Sequence, residues 1–297
     1  FRRREPISTS PASFADLADP TGGDQVLLLR WTGNRWEGPW EVTPQGGDVF
    51  RPAVAADGQG AVWVFWTAKQ KDRWDLYARR RVGDRWSEPQ ALTQSAGPDL
   101  LPAAARDREG KVWVTWMAFR EGGHADILAA RQEGDRIGAP QVVCDRPGNQ
   151  WGPAIATSDD GQVAVVWDSY EHGNYDVFLR RWAQGRWGEI LPVAASAAGE
   201  MRPSAVFDRA GRLWIAYEKS PELWGKDFGG LVKEKGVGLL MGRSVEVRVW
   251  DGTSWHEPAQ PAAEALSGPP LLQRRPGAGS AARRRGTLAL PVLACDS

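Results

Sequence analysis

The chain has 297 residues, of which 42% are hydrophobic and 25% are charged, as is usual for a globular protein. Lysine and arginine together number 37, and so do aspartate and glutamate, so the zero net charge argues against a broad basic surface for nucleic acid or an anionic membrane. No apolar run of about 18 residues predicts a membrane span. The two cysteines belong to no Cys/His cluster that predicts a disulfide scaffold or a zinc site.

The N-terminal part of the chain predicts only half of a structural unit. The chain opens with Phe1 and three arginines rather than with Met, so we interpret it as a fragment or a processed product. Residues 1–23 are expected to form an extension. Residues 24–43 then read DQVLLLRWTGNRWEGPWEVT, which resembles the second half of every later unit. The unit at 24–50 therefore predicts a third and a fourth strand alone.

Four complete units follow, and each opens on a proline in the same pattern. The openings RPAVAADGQGAVWVFW, LPAAARDREGKVWVTW, GPAIATSDDGQVAVVW and RPSAVFDRAGRLWIAY place their prolines 50, 51 and 50 residues apart. The units span 51–100, 101–151, 152–201 and 202–263, and the last contains an insertion at 218–244. Repeats of this length are typical of propellers and solenoids.

Each complete unit predicts four short antiparallel strands. In the first of them the strands are expected at 53–56, at 61–66, at 76–81 and from Trp86 onward, separated by turns that contain glycine. Turns spaced about 8–12 residues apart leave no room for long helices. We therefore predict an all-β fold, a β-propeller of four-stranded antiparallel blades. About five blades are visible, four of them complete and one split between the termini.

Most of the 17 tryptophans recur at equivalent positions of the units. Because blades stack face to face, we predict that three columns fill the gaps between blades, and a ring of sugar platforms is the alternative. A fourth column mixes tryptophan with polar residues, which predicts an exposed edge. It makes Trp31, Trp182 and Trp250 better candidates for ligand stacking, or else lids over their hairpins. The packing columns are Trp36, Trp86, Trp187 and Trp255; Trp63, Trp113 and Trp214; and Trp66, Trp116 and Trp167.

The repeated charged residues predict local structure rather than catalysis. Asp57, Asp107 and Asp208 each precede a glycine by three residues, where a carboxylate accepts backbone N–H groups within a turn. A residue repeated from blade to blade for this purpose is not a single catalytic acid. The arginines of one third-strand column are expected to pair with these carboxylates; they are Arg30, Arg80, Arg131 and Arg181.

These motifs resemble the bacterial sialidase-like propellers that carry BNR repeats. The pattern P-A-x-A-x-D-x-x-G-x-x-W-V-x-W, followed by D-[LIV]-x-x-x-R and G-D-R-W-x-x-P, carries the resemblance over residues 24–263. Gly60 follows Asp57 by three residues rather than by the two of the strict Asp-box, so the units are also similar to six-bladed TolB-type propellers. The resemblance implies the fold. The arginine triad, the Tyr/Glu pair and the proton donor of a sialidase are assigned to no residue of this chain.

The C-terminal residues 264–297 predict an irregular basic tail. Arg275 and Pro276 echo the opening of a blade, and residues 286–294 fit a second strand, so the tail is a candidate for the missing half of the first blade. The tail lacks the turn aspartate and the tryptophans, however, and three arginines at 283–285 stand where the turn is expected. A degenerate closing half-blade and an out-of-frame end both stay open as interpretations.

Non-repeated polar residues in the loops are the candidates for a binding site. In a propeller, the loops from strand two to strand three share a face with the loops that lead into the next blade, and loops of this kind often carry function. Loops 117–125 and 168–175 and the insertion 218–244 qualify, and the insertion is either a lid or docking element or a mere decoration. The candidate ligand-binding residues are Arg120, Glu121, His124, Asp168, Tyr170, Glu171, His172, Glu218, Trp224, Lys226 and Asp227.

Two chemical interpretations of these loops are tested by their geometry. A glycoside hydrolase needs two carboxyls that face each other across the ligand, so it requires Asp168, Glu171 and Glu218 to converge. His124 and His172 together with Asp168 suggest a metal site, but exposed loop histidines are usually solvated, and we predict no metal.

The sequence predicts a binding or scaffold domain rather than an enzyme. We expect a non-catalytic propeller without a cofactor that recognises a glycan, a peptide or a neighbouring domain through its loops, because the repeat explains most charged residues. The alternatives are a sialidase-like glycoside hydrolase and the N-terminal propeller of a larger hydrolase. The latter follows from a resemblance of ELWGKDFGG and GRSVEVRVW to multidomain proteins with a metal-dependent hydrolase domain. We expect no nucleic-acid partner and favour a periplasmic or extracellular location.

Overall fold

The computed structural model describes residues 23–71, 73–121, 123–222 and 242–258. Within these ranges it contains twenty β-strands, which form five antiparallel sheets, and no helix. The prediction of an all-β propeller with four-stranded blades is therefore confirmed. No helix that could cross a membrane is found among the described residues. Residues 1–22, the centre of the insertion and the C-terminal tail lie outside these ranges, and so does the predicted closing of the ring.

The sheets follow the repeat units in chain order. The first blade is a two-stranded sheet of β1 (Leu27–Trp31) and β2 (Trp36–Glu41). The second blade contains β3 (Val49–Ala56), β4 (Val62–Gln70), β5 (Arg73–Val82), β6 (Arg85–Trp86) and β7 (Gln90–Ala91), and the third contains β8 (Asp99–Arg106), β9 (Val112–Phe119), β10 (Ala125–Glu133), β11 (Arg136–Ile137) and β12 (Gln141–Cys144). The fourth blade contains β13 (Gln150–Thr157), β14 (Val163–Ser169), β15 (Asp176–Ala183) and β16 (Arg186–Ala194), and the fifth contains β17 (Glu200–Phe207), β18 (Leu213–Lys219), β19 (Ser244–Trp250) and β20 (Trp255–His256).

The outermost strand of a blade is continuous or split according to its sequence. In the second and third blades it is split into two short strands that both pair with the third strand, and the gaps contain Pro89 and Pro140. Ile190 occupies the equivalent position in the fourth blade, where β16 runs without a break. Because proline has no N–H to donate to a neighbouring strand, it interrupts the ladder where isoleucine continues it.

The first strand of each complete blade lies innermost. Strands β3, β8, β13 and β17 contact one another in that order, as strands around a common axis do. Each has an irregular register near its start, and the residue before its proline has a left-handed backbone with φ between 44° and 58°. A bulge of this kind re-aims the residues beside it. The left-handed residues are Arg51, Leu101, Gly152 and Arg202.

The second-strand tryptophans fill the gaps between blades, as predicted. Trp63 packs with Phe65 and with Trp116 of the next blade, and all three are buried. Trp113 and Trp167 are buried together in the following gap. Trp36 is the exception among the predicted packing columns, because it is 59% exposed.

The fourth tryptophan column is only in part an exposed edge. Trp31 is 46% exposed, in agreement with the prediction. Trp182 and Trp250 are half-buried, so the fully exposed edge is not found there. Each packs on the tryptophan across its own hairpin, Trp187 or Trp255, in agreement with the alternative of a lid. Trp182 lies edge-on to Trp113 of the preceding blade, with ring centroids 5.4 Å apart, and Trp250 packs against the core between the fourth and fifth blades. A tryptophan at this position is covered wherever a described blade precedes its own.

The repeated aspartates hold the turns between first and second strands, as predicted. Asp57 accepts the backbone N–H groups of Gln59 and Ala61. Its other oxygen accepts the indole N–H of Trp63 at 3.2 Å, a contact that the sequence did not predict. The pairing of the arginine column with these carboxylates is confirmed for Arg80 with Asp57 at 3.6 Å. Arg131 likewise pairs with Asp107, at 2.6 Å.

Candidate functional site

The loops from strand two to strand three meet the loops that enter each blade, and together they form what we call the loop face. In the second blade, Lys69 donates its backbone N–H to the carbonyl of Asp48 at 2.9 Å. Equivalent bonds join Phe119 to Pro98, Tyr170 to Asn149 and Ser220 to Gly199. The predicted sharing of one face by these two kinds of loop is therefore seen in each complete blade.

Asp168 and Glu218 are brought together at the loop face by one arginine. The Asp168 side chain, in a residue only 4% exposed, accepts the backbone N–H of Arg202 at 3.0 Å. The guanidinium of Arg202 lies 3.5 Å from Glu218, whose other oxygen receives Arg243 at 3.0 Å. We call Asp168, Arg202, Glu218 and Arg243 the arginine hub.

The inner strand of the fifth blade positions the hub. Arg202 has a left-handed φ of 52°, and the register of β17 shifts between Met201 and Ser204. Because this bulge turns the backbone, the N–H of Arg202 points at Asp168 of the neighbouring blade. Its side chain remains 69% exposed, so the charged group stays available to a ligand.

Aromatic side chains lie beside the hub. Trp151 is the cross-strand neighbour of Asp168 and contacts Phe119 edge-on, with ring centroids 6.0 Å apart. Tyr170 and Tyr175 lie edge-to-face at 4.8 Å. Trp151 and Tyr170 are half-buried and pack against Tyr175 and Met201. The site therefore combines aromatic surface with both signs of charge.

Glu171 does not belong to the arginine hub. Its carboxylate binds Arg146 at 3.2 Å and His172 at 3.0 Å, and its side chain is largely buried. These contacts fasten loop 170–175 to the loop that enters the fourth blade. Of the three acids expected to converge, Asp168 and Glu218 both contact Arg202, one at its backbone N–H and the other at its guanidinium, whereas Glu171 contacts other residues.

The candidates of the third blade form a separate group. Arg120 binds Asp126 at 2.8 Å, and His124 lies 3.7 Å from the same carboxylate. Arg120 and Glu121 line a cleft of about 350 Å³ together with Phe119. His124 and His172 thus face different carboxylates, and within the described ranges no cluster of three or more His, Cys, Asp or Glu side chains is arranged to hold a metal.

Three predicted site residues, Trp224, Lys226 and Asp227, lie outside the described residues. Conversely, the structure shows site residues that sequence reasoning missed, namely Arg202, Arg243 and Trp151. Arg202 was not predicted as a site residue because it opens a repeat unit, and residues of the repeat were assigned to structure. The equivalent positions of the four complete units are Arg, Leu, Gly and Arg. This variation shows that the repeat does not require arginine there, and it could have identified Arg202 as a candidate.

Several solved structures share this fold at low sequence identity. A protein of unknown function from Dyadobacter fermentans matches with a TM-score of 0.52 and 11% identity over 71% of this chain and 69% of that one. An ulvan lyase of polysaccharide lyase family PL25, bound to -[GlcA(1-4)Rha3S]-, gives 0.50 and 12% over 75% and 62%. A Hadza microbial sialidase gives 0.50 and 14% over 71% and 46%.

These similarities establish a shared fold and no more. The chain spans less than two thirds of the length of the lyase and less than half of that of the sialidase. No model of a known protein family matches the sequence, and no curated protein matches it either. The chain thus has the propeller fold also found in glycan-active proteins.

Proposed function

We propose that this propeller binds a glycan at the arginine hub without catalysing a reaction. The observation that carries the proposal is the exposed guanidinium of Arg202, which lies 3.5 Å from Glu218 while Asp168 accepts the backbone N–H of the same residue, near the half-buried residue Trp151. Binding sites for small polar ligands combine aromatic surface with a few well-placed polar groups in this way. The glycan-active proteins of the same fold support the choice of ligand class.

The contacts of the two hub acids favour binding over catalysis. The acid catalyst of a glycoside hydrolase must carry a proton toward the leaving oxygen. Both oxygens of Glu218 instead face arginines, and Asp168 accepts a backbone N–H. In this arrangement Asp168 holds the backbone of Arg202, Glu218 orients the side chains of Arg202 and Arg243, and these arginines contact the ligand.

A second candidate function is glycoside hydrolysis by Asp168 and Glu218. The specific observation in its favour is that both carboxyls contact Arg202, Asp168 through the backbone N–H and Glu218 through the guanidinium. This arrangement supplies the two acids that such an enzyme requires.

We further propose that the units are relaxed sialidase-like BNR or TolB-type blades, with the boundaries 24–50, 51–100, 101–151, 152–201 and 202–263. The turn aspartate that accepts an indole N–H in the second, third and fifth blades supports a common repeat. The fourth blade has Ser158 at the aspartate position and Ala164 at the tryptophan position, so the two residues are lost together.

Glycan-array screening of the wild type and of Arg202→Gln tests the proposed binding. We expect Arg202→Gln to weaken binding about tenfold or more, because it removes a charge-assisted contact while the backbone N–H to Asp168 remains. Arg209→Gln, in an exposed turn of the same blade outside the loop face, is the matched control and should bind as the wild type does. Unchanged glycan binding by Arg202→Gln would contradict the proposal.

A parallel assay on fluorogenic glycosides separates the two candidate functions. We expect no turnover by the wild type. Turnover that disappears in Asp168→Asn and in Glu218→Gln would instead establish the hydrolase.

A further inference from the structure

An aspartate lies at or near the start of the third strand in each of three blades. Asp75, Asp126 and Asp176 are buried, and in each of them Oδ1 has no hydrogen-bond partner. Each of these third strands contacts the inner strand of the next blade, whose first residue is Asp99, Gln150 or Glu200. In the fourth blade, Tyr175 accepts the backbone N–H of Glu200 at 2.6 Å. We call the contact between a third strand and the next inner strand a seam.

The seam between the fourth and fifth blades differs from the one before it. Between the third and fourth blades the inner-strand residue is Gln150, a neutral amide that accepts the indole N–H of Trp167 at 2.8 Å. Between the fourth and fifth blades it is Glu200, and Tyr217 replaces the tryptophan. Glu200 instead accepts the backbone N–H and the hydroxyl of Ser196. Two acids, Asp176 and Glu200, therefore share one buried seam.

Burial, together with the negative charge of Glu200, raises the pKa of Asp176 to about 6. The charge of His172 acts in the opposite direction, and that of Glu171 adds to the increase. An isolated carboxyl without a donor for one oxygen favours its protonated form in such surroundings. The titratable groups around the pair are Glu171 and His172 of loop 170–175, and Tyr217 and Lys219 of the strand that pairs with β17.

The seam that contains Asp176 and Glu200 lies where loop 170–175 is attached to the fifth blade. The amide of Asn174 donates to the carbonyls of Ser196 at 2.6 Å and of Ala198 at 2.8 Å. The Tyr175–Glu200 backbone bond closes the same contact. The loop begins directly after the strand that carries Asp168, so its position affects the aromatic surface beside the arginine hub.

We propose that a proton held by Asp176 beside Glu200 docks loop 170–175 on the 195–199 turn, and that loss of this proton releases the loop and makes the loop face sensitive to pH. The consequence for ligand binding rests on the proposed function, whereas the docking does not. When Asp176 ionises, two negative charges oppose each other in a buried seam, and the unpartnered Oδ1 receives no compensating hydrogen bond. The pKa of Asp176 is raised on folding, so its contribution is complete at low pH and declines as pH rises from about 4 through about 6.

Amide hydrogen exchange of segments 170–175 and 195–199 tests the docking. After correction for the intrinsic exchange rate, we expect about tenfold stronger protection near pH 5 than near pH 7.5 in the wild type. Asp176→Asn should keep the loop protected at both pH values. Asp126→Asn is the control for loss of a carboxyl at the equivalent strand position, because Asp126 is paired with Arg120 rather than set beside a second acid, and it should leave the pH dependence at 170–175 intact.

Two further variants keep the result decisive. His172→Gln removes the imidazole that acts on Asp176, so pH dependence that persists in this variant is assigned to Asp176. If Asp176→Asn does not fold, Glu200→Gln recreates the Asp–Gln pair of the preceding seam and should abolish the pH dependence. Protection that does not change with pH in the wild type, or changes equally in Asp176→Asn, would overturn the proposal.

Glycan binding measured at the same two pH values distinguishes this failure from failure of the proposed function. If exchange depends on pH and no glycan binds, the proton switch stands and the proposed function fails. If glycan binds with equal affinity at both pH values and exchange is constant, the proposed function stands and the switch fails.

Discussion

At the residue scale, the turn aspartate joins three parts of a blade. Asp107 accepts the backbone N–H of Lys111, the indole N–H of Trp113 at 2.9 Å and two N–H groups of Arg131 at 2.9 and 2.6 Å. In the equivalent turn of the second blade, burial alone would raise the pKa of Asp57. Hydrogen bonds from Ala61, Trp63, Gln132 and Gln59 outweigh it, so the pKa is lowered. The carboxylate thus satisfies donors that would otherwise be buried without an acceptor.

We expect Asp107→Ala to lower the free energy of unfolding by about 2–4 kcal/mol, because it leaves the buried indole N–H of Trp113 and the guanidinium of Arg131 without their acceptor. Urea denaturation followed by tryptophan fluorescence measures the change. Asp84→Ala is the control. Asp84 binds Arg81 at 2.9 Å but is fully exposed, so its loss should cause no measurable change. Equal effects of the two substitutions would contradict the role assigned to Asp107.

At the element scale, neighbouring hairpins touch without intervening side chains. Gly58 donates its backbone N–H to the carbonyl of Gly110 at 2.7 Å, which joins the turns of the second and third blades. A Cβ added at Gly58 would lie 2.9 Å from the Cα of Gly110. Glycine is therefore required by the close approach of two backbones. Stacking of adjacent blades depends on such hairpin contacts as well as on the tryptophans.

Gly58→Ala should lower the free energy of unfolding by about 1–3 kcal/mol, since the two turns must separate to admit the methyl group. Thermal unfolding followed by circular dichroism measures the loss. The neighbouring Gln59→Ala leaves the backbone contact intact and should be close to neutral. A neutral Gly58→Ala would show that the turns separate at no cost.

At the scale of the whole molecule, the burial of a strand depends on the position of its blade in the row of blades. Every residue of β14 is buried, and β9 is buried except at Phe119, because each lies in a blade with neighbours on both sides. In the first blade Leu27, Leu29, Trp31 and Trp36 are exposed. In a repeat protein each unit is stabilised through the interfaces with its neighbours, so the units are not equally stable.

Native-state hydrogen exchange should reveal this gradient. We expect the amides of 112–119 and 163–169 to exchange at least about 100-fold more slowly than those of 27–31 and 36–41, because buried blades open only with the molecule and the first blade opens locally. Mass spectrometry of proteolytic fragments resolves these segments. Equal protection in all four segments would show instead that the first blade opens only together with the rest.

Most of the fold was predictable because it repeats. Four copies of one pattern, with prolines 50 or 51 residues apart, identify the blades, the turns and the buried tryptophans, since equivalent positions meet equivalent surroundings. The partial burial of the tryptophans at 182 and 250 escaped the prediction because part of their cover comes from the preceding blade, which is far away in sequence. The split outer strands depended on Pro89 and Pro140, whose effect is visible only once the ladder partner is known.

The candidate site was predictable only in part. Asp168, Tyr170 and Glu218 stood out because nothing in the repeat explains them. Their relation to one another depends on Arg202, which belongs to a different blade from Asp168 and contacts it through the backbone rather than the side chain.

The local sequence pattern thus specified the blades by itself, because strand periodicity and turn chemistry depend only on a few neighbouring positions. Tertiary packing, both within blades and between them, decided which acids meet. It placed Asp168 and Glu218 on one arginine, left Glu171 with Arg146, and set Asp176 against Glu200. These pairings join residues up to 34 positions apart, and only the bulged path of the inner strands and the stacking of the sheets bring them within hydrogen-bond or ion-pair distance.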